Sequence, residues 1–278
     1  MTEVTAHHGL FKDTNLHVDD TGGTGRPVVL IHGWPLSGES FAAQVPALQA
    51  AGYRVITYDR RGFGRSDKPH GGYTYDTLTE DLNALLEALD LNDATLVGFS
   101  MGGGEVARYL TKFGSDRVRS VVFAAAVPPY MMQGEDNPEG PLTKEAAAEM
   151  TAGLSKDEES FYDDFTRQFF SVNGELKVTE QQRQDALRLC KQADKKAALA
   201  CMEAFGTTDF RGDLPNVTVP ALVLHGDGDG TVPLEGSGAR THAALPSSDL
   251  HVLRDAPHGC NVSHPDEFNQ ALLTFLAK

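Results

Sequence analysis

The pentapeptide Gly98-Phe99-Ser100-Met101-Gly102 sets one serine among glycines, which permit the sharp turn that a protruding hydroxyl needs. It follows the apolar run Thr95-Leu96-Val97 and precedes a helical stretch over 105–112, so Ser100 sits on a strand–turn–helix corner. At a helix N-terminus the peptide dipoles favour developing negative charge, which suits Ser100 as the nucleophile of an acyl transfer. The hydroxyl is weak until a base takes its proton. Where a serine occupies such a corner, its acid and then its base follow in the chain. Among ten histidines, His258 in Ala256-Pro257-His258-Gly259 lies in a loop after the last strand-like run, where the base belongs. His251 falls inside that run, His264 starts the final helix, His225 ends a strand and His32 precedes the serine. The acid belongs to the loop 226–233, which offers Asp227 and Asp229; Asp229, deeper in the loop, is favoured. Two backbone N–H donors must face the tetrahedral oxygen, and Met101 and Trp34 (in His32-Gly33-Trp34-Pro35) are the expected pair. The acid loop also has the acidic spacing of a calcium loop, but Val232 stands where that loop requires glycine, and no metal is expected.

The elements that must position these groups alternate. Short runs without a polar face at 28–31, 55–58, 95–97 and 121–123 read as strands of a parallel sheet buried on both sides. Between them lie helical stretches, clearest over 77–91, where leucines recur at helical spacing. This alternation means βαβ units. An antiparallel edge hairpin is expected around residues 10–18. From 128 to 214 the pattern changes to successive helices (144–150, 158–170, 180–190 and 194–205) with no convincing strand, a cap inserted into one domain spanning 1–278. Strands resume at 221–225 and 250–253, a helix is expected to begin at Pro233, and another closes the chain over 265–276 with proline in its first turn. In the cap, Phe161, Phe165, Phe169 and Phe170 share helical spacing; Phe161 or Phe165, with Val232 of the acid loop, is expected to wall the substrate pocket.

Composition narrows the partners. With 39 acidic against 24 basic residues and a formal charge of −15, nucleic acid and anionic membranes are excluded as partners. Three cysteines without CxxC spacing suit reduced thiols in a cytoplasm. Residues 1–18 are polar, without the apolar core of a signal peptide, and no run approaches the roughly 18 apolar residues of a membrane span. The expectation is a soluble cytoplasmic protein, and a homo-oligomer is compatible with it.

His32-Gly33-Trp34-Pro35-Leu36, Tyr58-Asp59-Arg60-Arg61-Gly62-Phe63-Gly64-Arg65-Ser66, the serine pentapeptide, the 226–233 loop and Ala256-Pro257-His258-Gly259 together resemble the cofactor-free haloperoxidases and aryl esterases of the α/β-hydrolase superfamily. The resemblance covers nearly the whole chain and is weakest in the cap. It implies a mostly parallel eight-stranded sheet with helices on both faces and a helical cap. The family's acid, four residues before the loop proline, is Asp229 here, while its Asp-Arg-Arg-Gly-x-Gly loop is structural. The implied activity is hydrolysis of short-chain or aryl esters without haem or metal. With hydrogen peroxide and a carboxylic acid, members make peracids that oxidise halide in solution. The same fold serves amidases, lactamases and carbon–carbon hydrolases, and a ligand receptor could keep the triad while losing turnover; phenyl acetate turnover and fluorophosphonate labelling of Ser100 separate these readings. Pro35 carries a further expectation. It restricts the Trp34 backbone, so the Trp34 carbonyl is held in one orientation, where it would accept the second O–H of peroxide, which water lacks.

Overall fold

The computed structural model describes residues 2–7 and 13–278. Among the described residues ten strands run β1 (Thr2–Ala6), β2 (Thr14–Asp20), β3 (Pro27–Ile31), β4 (Arg54–Tyr58), β5 (Ala94–Phe99), β6 (Val118–Ala124), β7 (Ser171–Val172), β8 (Glu175–Leu176), β9 (Ala221–Gly226) and β10 (Asp249–Leu253). Eight of them form one sheet in the order β1-β2-β4-β3-β5-β6-β9-β10. Only β2 runs against its neighbours β1 and β4; every other pairing is parallel. β5 and β9 are buried at every position, which explains their unbroken apolar runs. The antiparallel edge pair is β1 with β2; residues 10–12 of the span expected for it lie outside the described residues.

The helices are α1 (Gln44–Ala50), α2 (Tyr75–Ala88), α3 (Met101–Phe113), α4 (Lys144–Lys156), α5 (Glu158–Phe169), α6 (Glu180–Cys190), α7 (Lys195–Thr207), α8 (Gly238–Ala244), α9 (Cys260–Ser263) and α10 (Pro265–Leu276). The chain steps one way along the sheet from β3 to β4 and the other way from β4 to β5. Right-handed crossovers therefore place α1 and α2 on opposite faces. The packing agrees: α1 contacts α10, and α2 contacts α3. α2 starts where the Thr74 side chain accepts from the Thr77 N–H, and it buries Leu78, Leu82, Leu85 and Leu86. Each such leucine contributes about 2 kcal/mol. The direction of winding reverses between β3 and β5, and ligands in open α/β sheets bind at the carboxyl ends of strands flanking such a switch.

The segment between β6 and β9 carries α4 to α7. Side-chain caps start them: Thr143 for α4, Asp157 for α5, Thr179 with Gln182 in a reciprocal capping box for α6, and Asp194 for α7. Two expectations need correction. The 128–214 segment does contain strands, the small β7–β8 hairpin, which turns on Asn173 (φ 51°) and Gly174 (φ 81°). Asn-Gly is a strong signal for this two-residue turn, but strands of two residues show no apolar run. Second, α8 begins at Gly238, not Pro233. The Val232 and Pro233 carbonyls accept from the side chains of His225 and Ser237, so one turn intervenes before the helix. No described helix is long and apolar enough to cross a membrane.

Candidate active site

Ser100 links β5 directly to α3 with φ 53° and ψ −118°, a left-handed conformation that costs a non-glycine residue roughly 1–3 kcal/mol. Backbone bonds to β6, α3 and the loop after β6 hold it there: its N–H donates to Ala124 O at 2.8 Å, and its carbonyl accepts from Gly103 and Val127 at 3.1 and 3.2 Å. The flanking glycines are required by close approach. A Cβ on Gly98 would lie 2.5 Å from Gly102 O, and one on Gly102 would lie 2.5 Å from Ile31 O.

His258 stands between β10 and α9, its ring packed against Phe99 and the cap residue Phe169, with centroids 5.5 and 4.9 Å away. Its Nδ1 is 2.6 Å from Asp229 Oδ2 and its Nε2 is 2.9 Å from Ser100 Oγ. An ionised carboxylate only accepts, so Nδ1 carries the hydrogen and Nε2 offers a lone pair to the serine hydroxyl. Burial pushes the Asp229 carboxyl up, yet His258 and His225 beside it outweigh burial and hold it well below the usual carboxylate range. Its other oxygen accepts from the Thr231 and Val232 N–H groups at 2.9 and 2.7 Å. Asp227 has a different role. It accepts from the Asp255 N–H at 2.7 Å and pairs with the exposed Arg254 at 3.0 Å, bracing the β9 and β10 loops against each other. The structure therefore brings Ser100, His258 and Asp229 together and leaves Asp227 outside.

The loop after β3 abuts the serine: a Cβ on Gly33 would lie 3.0 Å from Ser100 Cβ. As the first residue of α3, Met101 has no intrahelical acceptor for its N–H. No described loop carbonyl or side chain takes up the Trp34 or Met101 N–H, which leaves both for a ligand oxygen. Residues that sequence reasoning set aside hold this loop. The Arg60 N–H donates to His32 Nε2 at 2.9 Å, so His32 Nδ1 carries the hydrogen and donates to Gly33 O at 2.8 Å. Burial and the Arg60 charge push His32 down to about 3, so it stays neutral. Because the peptide is planar, fixing the Gly33 carbonyl also fixes the direction of the Trp34 N–H. The Arg60 guanidinium binds His32 O at 2.7 Å and is itself held by Glu105 of α3. No spacing in the sequence marks these residues, since they act on backbone.

Ser100 and His258 open onto a small cavity of ≈ 40 Å³ walled by Trp34, Met131, Phe165, Phe205 and Val232. Ser100 lines none of the larger grooves, although one of them shares the walls Leu142, Met150 and Phe205 with this cavity. Of the expected pocket residues, Phe165 and Val232 line the cavity, whereas Pro35 and Phe161 do not. Phe161 instead stacks on Phe165 and meets the Trp34 ring edge-on, with centroids 6.4 and 6.2 Å apart. Trp34 is thus enclosed by the cap, and its indole N–H donates to Ala198 O of α7 at 2.9 Å. Trp34 is followed by a cis peptide to Pro35. Phe165→Ala is expected to raise the rate on a bulky ester relative to a short one by roughly tenfold, and Phe161→Ala to move that ratio far less. Paired kcat/KM values for butyl and acetyl esters check this; an unmoved ratio for Phe165→Ala would make that ring cap core only.

The sequence profile described as alpha/beta hydrolase fold matches residues 26–265, and the chain belongs to that family. It is an enzyme of the α/β-hydrolase class, and its relatives within the class are non-haem haloperoxidases and esterases. A putative non-heme chloroperoxidase of Synechocystis is 44% identical over 264 residues, 94% of this chain and 95% of the relative. A bifunctional esterase/perhydrolase of Acinetobacter calcoaceticus is 36% identical over 92% of this chain and 94% of its own length. The crystal structure of a bromoperoxidase from Bacillus anthracis superposes with a TM-score of 0.95 at 49% identity, covering 100% of this chain and 99% of that one.

Proposed function

We propose that the chain hydrolyses small carboxylic esters through an acyl-enzyme on Ser100, and that hydrogen peroxide competes with water for that intermediate. The observation that carries this reading is the continuous hydrogen-bonded path from Ser100 Oγ through His258 to Asp229, built on the strained turn between β5 and α3. His258 takes the serine proton as Oγ attacks the ester carbonyl, and the Asp229 carboxylate stabilises the imidazolium. The Trp34 and Met101 N–H groups receive the oxyanion. Collapse expels the alcohol, which takes the proton back from His258. Water activated by the same imidazole then releases the acid, and peroxide in its place releases a peracid, which oxidises halide to hypohalite in solution. The small apolar cavity over Ser100, walled by Trp34, Phe165, Phe205 and Val232, favours small acyl groups. The named activities of the Acinetobacter relative support both halves of the reading.

Water and peroxide use the same triad, so the choice between them must come from another group. In this reading the Trp34 carbonyl, oriented by Pro35, accepts the second O–H of peroxide. A neutral hydrogen bond of that kind is worth about 0.5–1.5 kcal/mol, a few-fold to roughly tenfold in rate. Pro35→Leu is therefore expected to lower peracid formation from acetate and peroxide by that factor and to leave p-nitrophenyl acetate hydrolysis within about twofold. Equal changes in the two rates would make Pro35 a scaffold residue.

A further inference from the structure

His225, next to last in β9, is fully buried, and the steps above do not use it. Its Nε2 lies 2.8 Å from Val232 O and 3.2 Å from Asp229 Oδ2. A carbonyl oxygen and an ionised carboxylate both only accept, so Nε2 carries the hydrogen, which it donates to Val232 O beside the Asp229 carboxylate. Nδ1 then bears a lone pair; it is buried without a hydrogen-bond partner. Gly238 of α8 closes the space beside it, where a Cβ would come 2.5 Å from Nδ1. A second proton on the ring would find no acceptor there, so the ring contributes a single donor, the Nε2–H.

We propose that His225 is a positioning residue of the reaction: its Nε2–H ties the Asp229 carboxylate to the Val232 carbonyl and draws charge on Oδ2 away from His258. The inference rests on the reading of Ser100, His258 and Asp229 as the triad. Val232 closes the arrangement, because its N–H donates to Asp229 Oδ1 while its carbonyl accepts from His225. The carboxylate is thus gripped at both oxygens, and Oδ2 is shared by two imidazoles.

Loss of the His225 donor has two effects. The carboxylate gains freedom to turn, which costs rate at the step where His258 is protonated. Its uncompensated charge also stabilises the imidazolium, which moves the acidic limb of the rate profile toward higher pH. The groups around the couple do not mask this shift. Asp229 faces the two imidazoles and the Thr231 and Val232 amides, and His258 faces Ser100, Phe99 and Phe169. Nearby Cys260, pushed up by burial, stays a neutral thiol. From the turn and helix packed on His225 come Ser237, whose hydroxyl donates to Pro233 O, and Gly238.

The test compares His225→Asn, whose amide reaches only the Nδ1 position, with His225→Gln, whose amide N–H reaches the Nε2 position. p-Nitrophenyl acetate kinetics are measured across pH. The expected result for His225→Asn is a kcat about tenfold lower with KM within about twofold, and an acidic limb of kcat/KM raised by roughly half a unit to one unit. His225→Gln is expected to recover most of the rate and the wild-type limb. Equal losses in both variants with unmoved limbs, or no loss in His225→Asn, would overturn the proposal. A second measurement needs no variant: ¹⁵N NMR of the wild-type ring should show the Nε2–H tautomer, and an Nδ1–H tautomer or an imidazolium would also overturn it. Ser100→Ala separates the two readings. If that variant stays active, the triad reading fails; if it is inactive while His225→Asn is unchanged, only the role of His225 fails.

Discussion

Ser100→Ala is expected to lower ester turnover by a factor on the order of 10⁵–10⁶ in kcat while the protein stays folded. Alanine keeps the backbone bonds that hold position 100, namely its N–H to Ala124 O and its carbonyl to Gly103 and Val127. It forfeits the hydroxyl and the 2.9 Å bond to His258 Nε2, a net stability effect of about 1 kcal/mol. The chemical effect is far larger because no other described nucleophile stands in contact with His258. Residual turnover of roughly 10³–10⁴ over water is expected from the Trp34 and Met101 donors and from binding. Steady-state kinetics on p-nitrophenyl acetate, beside a thermal melt, check both halves. Near wild-type rates in a folded Ser100→Ala protein would remove the basis of the mechanism.

Asp229→Asn is expected to lower kcat by about 10⁴, a loss set by proton positions more than by shape. Asp229 accepts from three donors, the Thr231 and Val232 N–H groups at one oxygen and His258 at the other, where His225 Nε2 also lies 3.2 Å away. The new amide has a single oxygen, and the two backbone donors, which cannot move, claim it. Its NH₂ then faces His258 and donates to Nδ1, which forces the proton onto Nε2, where it blocks acceptance from Ser100. The same NH₂ opposes the His225 donor, so some stability is lost as well. Asp227→Asn is expected to change the rate by less than about threefold, since its pair with exposed Arg254 is worth at most about 1 kcal/mol and its bond to the Asp255 N–H survives in the amide oxygen. Rates for both variants under one set of conditions decide the matter, and a reversed order would transfer the orienting role to Asp227.

The fold was legible in the sequence wherever burial was complete. β5 and β9 have no exposed face, so their apolar runs mark them directly, and α10 announces its start with Pro265 and acidic residues in the first turn. Ser100 was legible because its turn demands glycine at 98 and 102, and glycine spacing survives in one dimension. His225 and His32 were not. Each holds a partner through a single ring N–H whose target, Asp229 and Val232 for one and the Gly33 carbonyl for the other, is chosen by three-dimensional packing. The difference between Phe161 and Phe165 was hidden for a related reason. They lie one turn apart on the same face of α5, and only the position of Trp34 decides which of them reaches the cavity. The β7–β8 hairpin escaped because strands of two residues carry no periodicity.

The central claim is that Ser100 carries the acyl group, and the measurement that meets it most directly is mass spectrometry of enzyme quenched by acid during turnover of p-nitrophenyl acetate. The expected result is a gain of about 42 Da, one acetyl group replacing a hydrogen, confined to the peptide that contains Ser100 and absent from Ser100→Ala. An acetyl group found on another residue while Ser100 stays unmodified, in enzyme that is turning over, would contradict the account.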